Sequence, residues 1–182
     1  MARRRTLLVT RTAVMLALLI GAQFATRSMS QFVTGSLVNM ILHVSVLTLG
    51  IGGGLTVAIL SPLLAFLAGI GPAFIQIIPI MAAGNAVLVL ITNLIKRRAA
   101  KANPKDLALT GAVILAAGAA KTLFLWVGIT VIALPLIPGL NDMQKSVIAS
   151  AFSWPQLVTA AIGGALAMAV TPLLRLALRD VN

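Results

Sequence analysis

Apolar residues run through this chain in long blocks, each holding few polar positions and bounded by glycine, proline or charge. The blocks fall at about 7–26, 33–51, 53–70, 74–95, 107–134 and 155–178. A helix crosses the roughly 30 Å hydrocarbon core of a bilayer with about 20 apolar residues. Each block therefore has the length of one span, and the pattern predicts an all-α, polytopic bundle of six transmembrane helices forming one domain over residues 1–182. The glycine-rich stretch 50–54 and the segment Gly69-Ile70-Gly71-Pro72 predict tight reversals, because glycine and proline interrupt helices. The second, third and fourth spans then form a compact series of hairpins. Between the last two spans, Pro135, Pro138, Gly139, Asn141 and Asp142 predict a longer loop with room for a short surface helix. The final helix is expected to begin at Ser153 or Trp154, ahead of Pro155.

Composition supports the same picture. Of the 182 residues, 60% are apolar and 9% charged, against about 25% charged in a soluble domain. With so much of the length consumed by spans, a large extramembrane domain is excluded. The opening Arg3, Arg4 and Arg5 before an apolar stretch has the look of a secretion signal, but Arg11 interrupts the run. Ala22-Gln23-Phe24 is also not a small-x-small cleavage site, so the segment is expected to stay as the first helix.

The net charge of +11 then becomes a topology signal. With a cytoplasmic amino end, the inner side holds Arg3, Arg4, Arg5, Arg11, the five basic residues between 96 and 105, Arg175 and Arg179, eleven of the 14 Lys and Arg residues. Arg27 and Lys145 fall outside and Lys121 within a span. This asymmetry is the positive-inside pattern; it is lost if one span is deleted, and it places both termini in the cytoplasm of a bacterial inner membrane. Basic residues beside apolar spans face anionic lipid, so no nucleic-acid partner is expected.

Polar residues inside the blocks are few enough to consider singly. Lys121 lies halfway along the fifth block, where an ammonium in hydrocarbon costs at least about 2.5–3.5 kcal/mol. It shares a face with Ala117, Gly118 and Gly128, so it is expected to face protein or water rather than lipid. The acids are Asp106, Asp142 and Asp180, none within a block. Lys121 thus has no intramembrane counter-ion; a bound anionic group would supply one, and backbone carbonyls are the alternative. On the second block Gly35, Asn39 and His43 recur every fourth residue, with Asn39 roughly 9 Å and His43 roughly 15 Å below the outer surface. On the fourth, Asn85 sits near mid-depth and Gln76 near the surface, with Pro79 between them as a kink site. Asn39, His43, Asn85 and Lys121 are expected to line one outward-opening pocket, with Arg27, Asn141 and Trp154 near its mouth. Interhelical hydrogen bonding is the other use of such amides. Ala13, Ala17, Gly21 and Ala25 form a small-residue stripe on the first helix. Such a stripe suits close approach of another helix, either within the bundle or from a partner.

Several chemistries are excluded by what the sequence lacks. There is no cysteine and one histidine, so clustered metal ligands cannot assemble, and neither a metal nor another cofactor is expected. No Gly-x-Ser-x-Gly elbow accompanies His43 for serine chemistry. Glutamate is absent and no aspartate lies in a span, which removes the usual carboxylates of proton-coupled antiport. No Gly-x-x-x-x-Gly-Lys-Ser/Thr loop is present to bind ATP. No catalytic residue is assigned.

The chain resembles the substrate-binding S components of energy-coupling factor (ECF) transporters, the bacterial vitamin uptake systems. The likeness lies in the length, the six blocks, the short basic amino end and the Ala13-x-x-x-Ala17 pair. It extends to the run from Thr34 to Asn39, to Gly54-Leu55-Thr56-Val57-Ala58 with Leu60 to Ala65, and to Pro79 through Gly84-Asn85. The resemblance implies a non-enzymatic subunit that captures a small molecule from outside and passes it to a transmembrane coupling subunit with two cytoplasmic ATPases. It implies further that Ala13 and Ala17, extended by Gly21, meet the coupling subunit, and that the pocket lies in the outer half of the bundle under the loop at 25–33. Ligand residues differ among S components, so Lys121, Asn39, Asn85, His43 and Arg27 remain assignments from the residues themselves. The expected ligand is a vitamin or related molecule with an anionic group. The rival expectations are an autonomous small transporter or channel, and an assembly protein that binds only other membrane helices.

Overall fold

The computed structural model describes residues 2–72, 74–95 and 104–179, and every regular element among them is helical. Helix α1 spans Ala2–Thr26, α2 Gln31–Leu49 and α3 Ile51–Leu67. A single 3₁₀ turn, Ile75–Ile77, leads into α4, Ile78–Asn93. Helix α5, Pro104–Leu125, continues through a π-helical stretch, Trp126–Ala133, into the one-turn α6, Leu134–Leu136. The short α7, Asp142–Ala151, precedes α8, Trp154–Arg179. Five stretches, Arg5–Thr26, Gln31–Leu49, Ile75–Asn93, Lys105–Leu136 and Asp142–Ala177, are long and apolar enough to cross a membrane, and α3 is apolar but shorter, at 17 residues. The protein is thus an all-helical bundle compatible with a multi-pass membrane protein. The cluster Lys96, Arg97, Arg98 and Lys101 lies outside the described residues, as does Asp180.

The boundaries differ from the expected ones where glycine serves packing rather than turning. The reversal between α2 and α3 is made by Gly50 alone, whose φ of 88° is in the left-handed region that favours glycine. Gly52, Gly53 and Gly54 belong to the first turns of α3. A Cβ on Gly53 would stand 2.7 Å from Leu49 Cβ, and one on Gly54 2.8 Å from Val46 Cβ, so these glycines let α3 fold back directly against α2. At the far end of α3, Gly69 again takes a positive φ of 68°. Ile70 N donates to Ala65 O at 2.9 Å there, closing the helix with a six-to-one bond. Pro79 does not kink α4: it sits in the first turn, where no intrahelical donor is missed. The expected surface helix is α7, opened by Asn141 and Gln144 in a reciprocal capping box.

Among apolar solvents the hydrophobic effect does not hold helices together, so close backbone packing must. Helix α8 comes against the backbone of α2 itself. A Cβ on Gly163 would lie 2.5 Å from Ser36 O and 2.7 Å from both Asn39 Cβ and Met40 N. Gly35 meets Thr159 and Gly118 meets Ala160 in the same way, which brings α2, α5 and α8 together at one level. Below that level Leu19, Leu42, Val46, Val57, Leu88 and Ala117 fill the centre. A second apolar cluster, Ile77, Leu125, Ile129, Leu134, Ile137 and Phe152, seats α7 over the ends of α4 and α5. At the opposite end Arg175 Nη2 donates to Leu47 O at 2.7 Å, satisfying one of the last carbonyls of α2 from α8. The start of α1, the α2–α3 turn and the end of α8 therefore share one end of the bundle, and α7 marks the other.

Candidate functional site

Lys121 projects into the bundle from the last turns of α5, shortly before the π-helical stretch, and is 3% exposed. Its burial follows from its own helix: Ala117 is buried and Gly118 brings α5 against Ala160 of α8, leaving no path to lipid on that face. Its Nζ donates to Asn39 Oδ1 at 2.6 Å. Asn39, 1% exposed, donates through Nδ2 to Thr159 Oγ1 at 3.2 Å, and Thr159 in turn donates to Gln156 O at 3.0 Å. The chain of donors has one direction, from Lys121 through α2 to α8. Asp106 stands on the same helix ~22 Å away along the axis, and Asp142 lies exposed at the start of α7. The ammonium is therefore held by an amide oxygen rather than by a carboxylate.

Above this network the helices part to leave a cavity of about 460 Å³. Lys121, Asn39, Asn85 and Arg27 all line it. It opens at the end of the bundle opposite the termini, between the α1–α2 corner (Arg27, Met29), the α3–α4 connection (Ile70, Phe74) and α7 (Val147, Phe152). Asn85 is 5% exposed and sits at the seam of α3 and α4, where its Nδ2 faces Ala58 O at 3.5 Å. Since that carbonyl can only accept, the amide nitrogen points to it and Oδ1 turns toward the cavity. Arg27 is at the rim, with its guanidinium 4.6 Å from the centroid of the Phe24 ring.

His43 does not reach the cavity. One turn deeper than Asn39, it is 0% exposed, and its Nδ1 is 2.9 Å from Thr92 Oγ1 on α4. The Thr92 hydroxyl hydrogen is given to Leu88 O at 2.7 Å, so Thr92 accepts and His43 Nδ1 donates. Asn141 and Trp154 also stand off the cavity wall: Asn141 caps α7, and Trp154 packs on Phe32 at 5.8 Å between ring centroids. Gln76 is exposed. Polar residues not expected from the sequence line the wall instead, chiefly Gln23, Ser61 and Gln156. Gln23 and Ser61 are lone polar positions within apolar stretches, and Ser61 precedes a proline inside α3, which is the signal they offered.

Comparison with protein-family models, with curated proteins and with solved structures gave no match. A half-enclosed cavity of this size falls in the range of small-molecule pockets, ~300–1,000 Å³, with a mostly apolar wall and few convergent polar groups. Its deepest charge is a desolvated cation whose remaining N–H groups have no acceptor among the described residues, an arrangement suited to holding an anion.

On the outside of the bundle, Ala13, Ala17, Gly21 and Ala25 are all exposed, and nothing lies within 4 Å of a Cβ placed on Gly21. The stripe is not packed within its own bundle. Beside it Leu8, Ala13, Leu16, Gly52, Thr56 and Leu60 line a shallow groove of about 420 Å³ between α1 and α3.

Proposed function

We propose that the protein is the substrate-binding S component of an ECF-type transporter, with six spans in a bacterial inner membrane and both termini in the cytoplasm. In this reading it captures a vitamin-like molecule with an anionic group from the outer side and delivers it to a transmembrane coupling subunit driven by two cytoplasmic ATPases. The observation that carries it is the cavity opposite the termini, where Lys121 and Asn39 join at the floor and Arg27 stands at the rim. Two further points support it. The chain has no residues able to power transport itself, and its small-residue stripe faces outward, free for a partner helix. Removal of both positive termini from the ligand entrance also fits the charge asymmetry of the sequence.

The test is reconstitution. Proteoliposomes holding the purified chain alone should take up no labelled vitamin, whereas adding an ECF coupling module and ATP should start uptake of one of a panel of anionic vitamins. Uptake by the chain alone would establish an autonomous transporter in its place.

A further inference from the structure

The polar atoms of the cavity fall into two sets of opposite sense. At the seam of α2 and α5 the wall offers hydrogen-bond donors. Lys121 has three N–H groups and one is taken by Asn39 Oδ1. The Asn39 amide nitrogen donates to Thr159 and the Thr159 hydroxyl to Gln156 O, so Lys121 is the donor this wall keeps for a ligand. At the seam of α3 and α4 the wall offers an acceptor. Asn85 Oδ1 turns inward because its Nδ2 faces Ala58 O. Gln23 Oε1 and the Ser61 hydroxyl, neither with a partner among the described residues, lie behind this wall rather than on it. Between the two sets the wall is apolar, formed by Val38, Pro62, Ala65, Met81 and Leu125. Among the described residues no carboxylate lines the cavity, and the two charged residues that do, Arg27 and Lys121, are cations.

An unpaired buried acceptor costs about 1–3 kcal/mol, so Asn85 Oδ1 is a demand on whatever fills the space. Resting on the receptor reading above, we infer that the ligand is a small monoacid with a short apolar middle and a neutral N–H or O–H donor at its other end. Its carboxylate meets Lys121, and its neutral donor meets Asn85 Oδ1. A ligand ammonium at that second wall would be desolvated opposite an amide oxygen alone, without a counter-charge, so cations and zwitterions are selected against.

Four unbranched probes of seven to nine chain atoms separate the features. N-acetyl-ε-aminocaproate carries the carboxylate and an amide N–H; N-acetyl-ε-aminocaproamide lacks the anion; octanoate lacks the donor; ε-aminocaproate is the zwitterion. Each is titrated calorimetrically into the full-length protein in lipid nanodiscs. The first is expected to bind about tenfold or more tightly than each of the others, as one charge-assisted or one otherwise unmade buried hydrogen bond implies. Lys121→Gln should erase the preference for the acid over its amide. Asn85→Asp, which keeps the side-chain shape and adds a charge, should invert the order of N-acetyl-ε-aminocaproate and ε-aminocaproate. Equal or tighter binding of octanoate or ε-aminocaproate to the unaltered protein overturns the ligand class while leaving a receptor in place. An unchanged order in Asn85→Asp overturns the placement of the acceptor wall. Absence of heat from all four overturns both the class and the receptor.

Discussion

Substituting Gly163 by alanine sets two effects of opposite sign against each other. In an exposed helix, Gly→Ala stabilises by about 1 kcal/mol through helix propensity alone. At position 163 the new methyl would arrive 2.5 Å from Ser36 O and 2.7 Å from Asn39 Cβ and Met40 N, all backbone or backbone-anchored atoms that cannot swing away. Ordinary contact needs at least 3.4 Å, so α2 and α8 must part by roughly an ångström, an overpacking strain of about 1–3 kcal/mol. The same displacement takes the Asn39–Thr159 bond, already 3.2 Å, beyond hydrogen-bond length, which adds about 1 kcal/mol. The net loss is roughly 1–3 kcal/mol, and at roughly 2–4 °C per kcal/mol for a chain of this size the Tm should fall by about 2–12 °C. The assay is thermal unfolding of the detergent-solubilised protein followed by tryptophan fluorescence. Gly21→Ala is the control, because its Cβ meets nothing within 4 Å, and its Tm should be unchanged or slightly raised. Equal Tm values for the two variants would refute the close α2–α8 crossing and the placement of Asn39 that depends on it.

Three further outcomes follow from the same geometry. Replacing Ala13 and Ala17 by leucine fills an outward face rather than the core, so ligand binding and Tm should be retained while coupled uptake is lost; loss of binding would show that the stripe packs inward. Ala151 O at the end of α7 accepts from Gln31 Nε2 and from Gln156 Nε2. The double change Gln31→Ala with Gln156→Ala removes about 1 kcal/mol per bond and should speed ligand dissociation by at least about fivefold in a stopped-flow experiment, with unaltered dissociation ruling out α7 as a cover of the cavity. Asn141→Ala breaks the capping box of α7 at a cost of about 1 kcal/mol and should raise amide hydrogen exchange in residues 142–151 alone; protection equal to the unaltered protein would contradict the cap.

Long apolar blocks made the helical architecture legible from the residues alone, because in a bilayer the demand on each span is compositional and local. Lys121, Asn39, Asn85 and Arg27 stood out for a related reason: each is expensive in hydrocarbon and so has to face something else. Their convergence depends on helix rotations that sequence spacing cannot supply. His43 shows the difference. It shares the face of Asn39 at a spacing of four, yet one turn deeper the neighbouring surface is Thr92 of α4 and the helices have closed. Gln23 and Ser61 were passed over because a single amide or hydroxyl in an apolar run can equally bond to its own helix, as Thr12, Thr48 and Thr110 do to the carbonyl four residues back. The run Gly52-Gly53-Gly54 has the composition of a turn, and only the approach of Leu49 and Val46 shows why it is helical. The π-helical stretch at Trp126–Ala133 left no sequence signal that distinguishes it from the rest of α5.

The claim that everything functional depends on is that Lys121 holds an anionic small molecule in the cavity. Lys121→Met removes a buried charge that has no ionic partner among the described residues, a relief that offsets the cost of about 1–3 kcal/mol for leaving Asn39 Oδ1 without its donor. The two proteins can therefore be purified side by side in mild detergent and their bound small molecules released and identified by mass spectrometry. An organic anion in near-equimolar amount with the unaltered protein, and missing from an equally folded Lys121→Met, is the predicted result. The same compound in equal amount in both, or none in either, would contradict it.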